Sequence, residues 1–133
     1  MQRKLCNQFI LEKQKMNNTN NTIRESEPTK ILHECIDLII KKSNDYQNPN
    51  SRIRQANYYP RGVASILDII QAKVLRMYSV IEAMENDPEY QPNFESIEIS
   101  AVDTINYCSF LVAYARGKVD GQDANKDLLN RSI

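Results

Sequence analysis

Three long stretches of this chain place apolar residues at helical spacing, and this pattern constrains the fold more than any other feature. The stretches cover about residues 29–44, 65–85 and 94–116. The chain of 133 residues contains only 3 Gly, whereas a β fold with many turns usually needs more. The sequence therefore predicts an all-α fold, a bundle of three to four helices built as one domain around a modest core.

The helical stretches divide the chain into three parts. Residues 26–117 are predicted to form the bundle, and Gly117 is predicted to cap the C-terminus of its last helix. Residues 1–25 are predicted to be an N-terminal arm that is either flexible or docked on a partner subunit. Residues 118–133 are predicted to be a polar C-terminal tail.

Charge, hydropathy and cysteine content exclude several classes of protein. The 17 basic and 17 acidic residues give zero net charge, whereas a general nucleic-acid binder usually carries a basic excess. No apolar run approaches the ~20 residues of a membrane span, and we expect no signal peptide, so we predict a cytoplasmic protein. An odd number of widely spaced cysteines is not a disulfide framework, and we predict that Cys35 and Cys108 are small buried hydrophobes.

The link between the first two helices, residues 45–64, is long for a compact domain and is a candidate functional loop. It begins with Asp45 and Tyr46, which either contact a ligand or form the turn that ends the helix. Arginine can bind phosphate and tyrosine can stack on a base. The link carries these further side chains of the two kinds: Arg52, Arg54, Tyr58, Tyr59 and Arg61. The alternative is a surface loop whose arginines are solvated.

Polar side chains also interrupt the apolar faces of the second and third helices. Lys73 and Arg76 lie three residues apart and project together, either as phosphate ligands or as a solvated basic face. Asp103 and Asn106 share a face of the third helix, where they bind a ligand or form a buried hydrogen-bonded pair that fixes the helix register. The only His, His33, is predicted to be structural or exposed, which leaves no His-based triad within one subunit.

Three segments in this order resemble a known family. Residues 42–47 read Lys-Ser-Asn-Asp-Tyr-Gln, residues 65–77 read Ser-Ile-Leu-Asp-Ile-Ile-Gln-Ala-Lys-Val-Leu-Arg-Met, and residues 95–107 read Glu-Ser-Ile-Glu-Ile-Ser-Ala-Val-Asp-Thr-Ile-Asn-Tyr. They are similar to the motifs Lys-x-x-Asp-Tyr-Gly, Ser-Ile-x-x-Arg-Ile-x-Asp-Lys-x-x-Arg-Leu and Glu-Ser-x-x-Asp-Thr-x-x-Asp-x-x-Asn-Tyr of the phage-associated nucleotide-modification family. That family is a branch of the all-α MazG-like nucleotide pyrophosphohydrolases, and the resemblance covers about residues 29–117.

The resemblance implies a MazG-like bundle that binds a nucleoside phosphate. It also implies a homo-oligomer, a dimer or larger, with the site between helices of neighbouring subunits. Such enzymes often hold Mg²⁺ with helix carboxylates, and the ion activates water and neutralises the phosphates. The side chains that would hold such an ion here are Glu34, Asp37, Glu98 and Asp103.

Two departures from the family motifs bear on catalysis. Gln71 and Ala72 stand where the family has an acid before the lysine of the second helix, and Ile99 stands where it has an acid early in the third. A divalent ion is held mainly by charge, which these residues do not supply. Lost acids beside retained basic and aromatic residues are the pattern expected of a protein that binds nucleotides without hydrolysing them.

Our first hypothesis is therefore a phage-type protein of the host cytoplasm that sequesters a nucleotide-derived ligand, such as a host immune signal, with no catalytic residues and no required cofactor. The basic side chains would hold phosphates, the tyrosines would stack on the base, and Asp45, Asp103 and Asn106 would contact ribose or base edges. The alternative is an Mg²⁺-dependent nucleotide pyrophosphohydrolase acting on nucleoside triphosphates or modified nucleotides. A helical adaptor with no small ligand is a third reading.

Overall fold

The computed structural model of the protein describes residues 7, 8, 10, 25–93 and 95–133. Its main elements are helix α1 (Glu27–Tyr46), a single 3-10 turn (Gln55–Tyr58), helix α2 (Val63–Asn86) and helix α3 (Ile97–Ala115). Within these residues there is no β-strand, and only an isolated antiparallel bridge joins Lys126 to Ser132. The predicted all-α class is thus confirmed. Most of the predicted N-terminal arm lies outside the described residues.

Helix α1 starts earlier than predicted because Pro28 fits its first turn, where a missing N–H costs nothing. The helix packs mainly against α3, and Cys35 is its one buried residue. The side chains of Leu32, Ile36 and Ile40 follow one another at a spacing of four residues and are largely exposed. An apolar stripe therefore lies open on the face of α1 that they share.

Helices α2 and α3 form the main packing pair, and the core lies at one end of it. The buried members of this core are Tyr59, Ile66, Tyr114 and Val119. The sequence places Val119 in the polar tail, so the tail contributes to the core as well as covering it. Cys108 is exposed, which makes the prediction of a buried thiol wrong at that position. Cys108 and Val112 lie four residues apart, so they share one exposed face of α3.

The tail also fixes where α2 begins. The backbone N–H of Val63 donates to the carbonyl oxygen of Leu128 at 2.9 Å. Gly62 has a φ of 59°, and a Cβ there would stand 2.1 Å from the same carbonyl oxygen, so only glycine fits this close approach. Ser65 lies inside the first turn of α2, where its hydroxyl accepts the backbone N–H of Arg61 at 2.9 Å.

The last helix ends as predicted. The N–H of Gly117 donates to the carbonyl of Tyr114, and the N–H of Lys118 donates to the carbonyl of Ala113. Gly117 adopts a φ of 71°, the left-handed conformation that closes many helices. At the other end of α3 the side chain of Ser96 accepts the N–H of Ile99 at 3.1 Å and satisfies one of the free donors of the first turn.

Candidate functional site

A cavity of about 220 Å³ opens between the C-terminal half of α1, the link to α2, and the middle of α3. Its wall is mostly apolar and aromatic, with a few amide and hydroxyl groups. The lining residues are Ile39, Lys42, Ser43, Tyr46, Gln47, Gln55, Tyr58, Tyr59, Ile69, Asp103, Asn106, Tyr107 and Phe110. This is the architecture of a small-molecule site, in which a mainly apolar concavity carries a few placed polar groups.

Two aromatic pairs shape the cavity. The rings of Tyr46 and Tyr58 meet edge to face with centroids 5.6 Å apart, and the hydroxyl of Tyr58 donates to the carbonyl of Tyr46 at 3.3 Å. Tyr107 and Phe110 form a second edge-to-face pair at 5.7 Å. Edge-to-face pairs hold each ring in a defined plane, so a flat ligand would meet preset stacking surfaces. The contacts between Tyr46 and Tyr58 thus hold the link against the C-terminal end of α1, where it forms part of the cavity wall.

A buried amide lies in the cavity wall. Asn106 is only 5% exposed, and its side-chain oxygen Oδ1 is buried with no hydrogen-bond partner in the described part of the chain. A buried polar atom without a partner costs about 1–3 kcal/mol. Asn106 lies between Asp103 and Phe110 along the α3 face that lines the cavity. The unpaired oxygen has almost no exposed surface, so a ligand N–H or O–H group reaches it only when the amide turns toward the cavity.

A network of ion pairs adjoins the cavity at Asp103. The ammonium Nζ of Lys73 lies 3.0 Å from a carboxylate oxygen of Asp103 and 2.9 Å from one of Glu95. Lys42 reaches the other oxygen of Asp103 at 3.4 Å and so joins α1 to α3. Ser100 donates to Glu95 at 2.8 Å, and Arg76 donates to the hydroxyl of Ser100 at 2.9 Å and to the backbone carbonyl of Glu95. Each of the two carboxylates is thus paired with a lysine.

The network shifts the ionisation of its members. Burial lowers the pKa of Lys73, but hydrogen bonds to Glu95 and Asp103 outweigh it and raise the pKa above its ordinary value. The hydrogen bond from Lys73, followed by that from Ser100, lowers the pKa of Glu95. Burial raises the pKa of Tyr59 and of Tyr107, so both phenols are neutral at physiological pH. The cavity therefore presents neutral phenols, and Lys73 holds Glu95 in its charged form beside it.

The structure brings some of the predicted site residues together and separates others. Five of them line the cavity: Tyr46, Tyr58, Tyr59, Asp103 and Asn106. Six do not: Asp45, Arg52, Arg54, Arg61, Lys73 and Arg76. Among these six, Arg54 pairs with Asp120 at 3.5 Å and Arg61 pairs with Asp68. The exposed Asp45 lies in the last turn of α1, and the exposed Arg52 lies in the link.

The candidate metal ligands do not converge. Glu34, Asp37 and Glu98 are exposed on two different helices, and of the four only Asp103 lines the cavity. A search of the described residues finds no group of three or more His, Cys, Asp or Glu side chains able to hold a metal ion. Octahedral Mg²⁺ needs oxygen ligands around one point, and these carboxylates supply one such oxygen donor at the cavity.

Sequence reasoning missed several lining residues. Tyr107 and Phe110 follow Asp103 and Asn106 on the same face of α3 at helical spacing, and this signal was available in the sequence. Lys42 opens the first of the three motif segments and so also had a signal in the sequence. The amides of Gln47 and Gln55, whose side chains bond at 3.3 Å, carry no comparable signal. They face the cavity only because the link folds back on the end of α1.

Comparison with protein-family models, with curated proteins and with solved structures finds no match for this chain. The family resemblance therefore rests on its three sequence segments alone. None of the helices in the described ranges is both long enough and apolar enough to cross a membrane.

Proposed function

We propose that this protein binds a nucleotide-derived ligand in the cavity between α1 and α3 and holds it without hydrolysis. The observation that carries the proposal is the combination of preset aromatic rings with the unpaired buried oxygen of Asn106. Rings that stack on a base tolerate many bases, while a buried acceptor selects a ligand with a donor at one position. The resemblance to phage-associated nucleotide proteins supports the same ligand class.

The ion-pair network supports binding rather than hydrolysis. Asp103 is the one acid among the lining residues, and both Asp103 and Glu95 are bonded to Lys73. A metal ion would have to displace that lysine before either carboxylate could hold it. The proposed role of the acids is therefore to fix the geometry of α2 and α3 beside the cavity.

One incubation separates sequestration from pyrophosphohydrolysis. The purified chain is mixed with Mg²⁺ and a panel of nucleoside triphosphates, modified nucleotides and cyclic nucleotides, and each mixture is then denatured and read by mass spectrometry. Binding is scored separately as a rise in melting temperature, which follows from preferential binding to the folded state. Intact recovery of each ligand that raises the melting temperature supports the proposal. Released pyrophosphate would show that the protein is a pyrophosphohydrolase. If no nucleotide of the panel raises the melting temperature, the protein is a helical adaptor with no small ligand.

The ring of Tyr58 is expected to contribute more to binding than its hydroxyl. Tyr58→Ala should weaken the affinity for the best nucleotide of the panel about tenfold, because base–aromatic stacking is worth about 1–3 kcal/mol. Tyr58→Phe keeps the ring and should stay within about threefold of the parent. The control is Tyr78→Ala, since Tyr78 is an exposed tyrosine of α2 outside the cavity. Isothermal titration of the three variants measures these affinities, and equal losses for Ala and Phe at position 58 would contradict the stacking role.

We also propose that the chain forms a homo-oligomer through α1. The stripe of Leu32, Ile36 and Ile40 is exposed along one face, and packing against a second copy would bury it. Sedimentation equilibrium on the full chain would then give a mass above the 15.4 kDa of one subunit.

A further inference from the structure

The charges of the cavity wall point to a ligand with little charge of its own. Of the lining residues only Lys42 and Asp103 are charged, and their side chains pair with each other at 3.4 Å. The formal charge of the wall is therefore zero. The remaining polar groups on the wall are the neutral amides of Gln47, Gln55 and Asn106 and the hydroxyls of serine and tyrosine.

The basic side chains outside the wall do not change this balance. Lys73 lies between two carboxylates, and Arg76 donates to Ser100 and to the backbone of Glu95. Arg54 and Arg61 each pair with an aspartate on the surface. A phosphate group at the cavity would have to compete with these protein acceptors for each of the four cations, and the exposed Arg52 of the link does not line the cavity.

A nucleoside triphosphate is poorly suited to a cavity whose wall has no net charge. Its three phosphates need several converging donors or a bound Mg²⁺, because burying an unpaired anion is costly. The carboxylate of Asp103 would add repulsion at short range. The base and sugar of a nucleoside need neither a cluster of cationic donors nor a bound Mg²⁺, because the aromatic rings and neutral amides of the wall can contact them.

The buried oxygen of Asn106 adds a directional requirement. It can only accept, so its partner is an N–H or O–H donor that reaches the depth of the wall. An amino group or ring N–H of a nucleobase is a donor of this kind on a flat, stackable group.

We infer that the cavity takes a nucleoside bearing at most one phosphate, with an N–H group of its base donating to Oδ1 of Asn106. The ligand class of the proposed function is thereby narrowed, and the inference rests on that function. Lys42 is the one cation of the wall and the natural contact for a single phosphate. The affinity of the protein for a nucleotide should therefore fall as its phosphate chain lengthens.

The test compares ligands that differ only in phosphate number. The four ribonucleosides, their 5′-monophosphates and their 5′-triphosphates are titrated calorimetrically into the full chain with EDTA present, at about 50 mM and about 500 mM salt. For the preferred base we expect nucleoside and monophosphate to agree within about fivefold and the triphosphate to bind at least tenfold more weakly. The nucleoside affinity should be almost independent of salt, because screening acts on charge pairs.

The other outcomes separate this inference from the function beneath it. A triphosphate that binds as tightly as its nucleoside, or more tightly, overturns the inference and leaves nucleotide binding intact. Twelve ligands that all fail to bind overturn the inference, and the proposed function is overturned as well if the modified and cyclic nucleotides of the wider panel also fail to bind.

Discussion

Replacing Asn106 with Leu is expected to stabilise the protein and to remove its ligand binding. Leucine has the same branched shape and the same number of side-chain heavy atoms, so it fits the site without a new cavity. It also removes the buried oxygen that has no partner among the described residues, which should raise the free energy of unfolding by about 1–2 kcal/mol. The affinity for the best nucleoside should fall about 10- to 100-fold, since the acceptor for its N–H is gone.

The informative result is that Asn106→Leu raises the free energy of unfolding while it lowers the affinity for the nucleoside. A residue retained for packing loses stability when it is replaced, whereas one retained for binding at the expense of stability gains it. Urea unfolding measures the first quantity and calorimetric titration the second. Asn86→Leu is the matched control, because Asn86 is exposed at the end of α2 and outside the cavity. Destabilisation by Asn106→Leu with unchanged affinity would show that the amide serves the fold.

The helices could be predicted from the sequence, but the way the tail closes the fold could not. The apolar spacing of residues 29–44, 65–85 and 94–116 predicts three helices, and the structure has α1, α2 and α3 in those places. The tail is held by backbone hydrogen bonds such as Val63 to Leu128 and Ala56 to Asp120. Backbone groups are the same in every residue, so such contacts leave almost no trace in the sequence. Helix α2 therefore begins at Val63, whose N–H the carbonyl of Leu128 accepts, and not at the predicted residue 65.

The candidate site was predictable in part for a similar reason. Asp103 and Asn106 stand out because they are polar within an apolar helix, and the structure places both in the cavity wall. Lys73 stands out equally, yet its charge is directed to Glu95, which precedes α3 in the chain. Helical spacing shows which residues share a face of one helix, but not which charge on a neighbouring segment that face meets. The pairing of a predicted phosphate ligand with two acids therefore needed the structure.

Replacing Lys73 with Met should strongly destabilise the protein. The Lys73 side chain is 23% exposed, and its partners Glu95 and Asp103 are 25% and 13% exposed. Removing the shared cation leaves Glu95 with the hydroxyl of Ser100 and Asp103 with the longer ion pair to Lys42, which should lower the free energy of unfolding by about 3 kcal/mol at pH 7. Urea unfolding of the two proteins gives this difference directly.

The control is a lysine whose ion pair is exposed. Lys30 pairs with Glu27 at 3.3 Å, and these side chains are 53% and 77% exposed. Lys30→Met should change stability by less than about 0.5 kcal/mol, because solvent screens such a pair. A cost for Lys73→Met no larger than this would contradict a structural role for the network.

The cost of Lys73→Met should also depend on pH in a defined direction. Lys73 lowers the pKa of Glu95, so this carboxylate stabilises the parent protein above its ordinary pKa of 4.5, and the contribution is lost as the pH falls through the lowered value. At the alkaline end the raised pKa of Lys73 contributes stability below pH 10.5 that is lost as the pH rises through the pKa of the folded state.

The stability difference between parent and variant should thus be largest between about pH 5 and pH 9. It should shrink as the pH falls below about 4.5 and through the lowered pKa of Glu95, and urea titrations at pH 3, 5, 7 and 9 measure it. A difference that is constant over this range would mean that Lys73 stabilises the fold through its hydrocarbon chain and not through its charge.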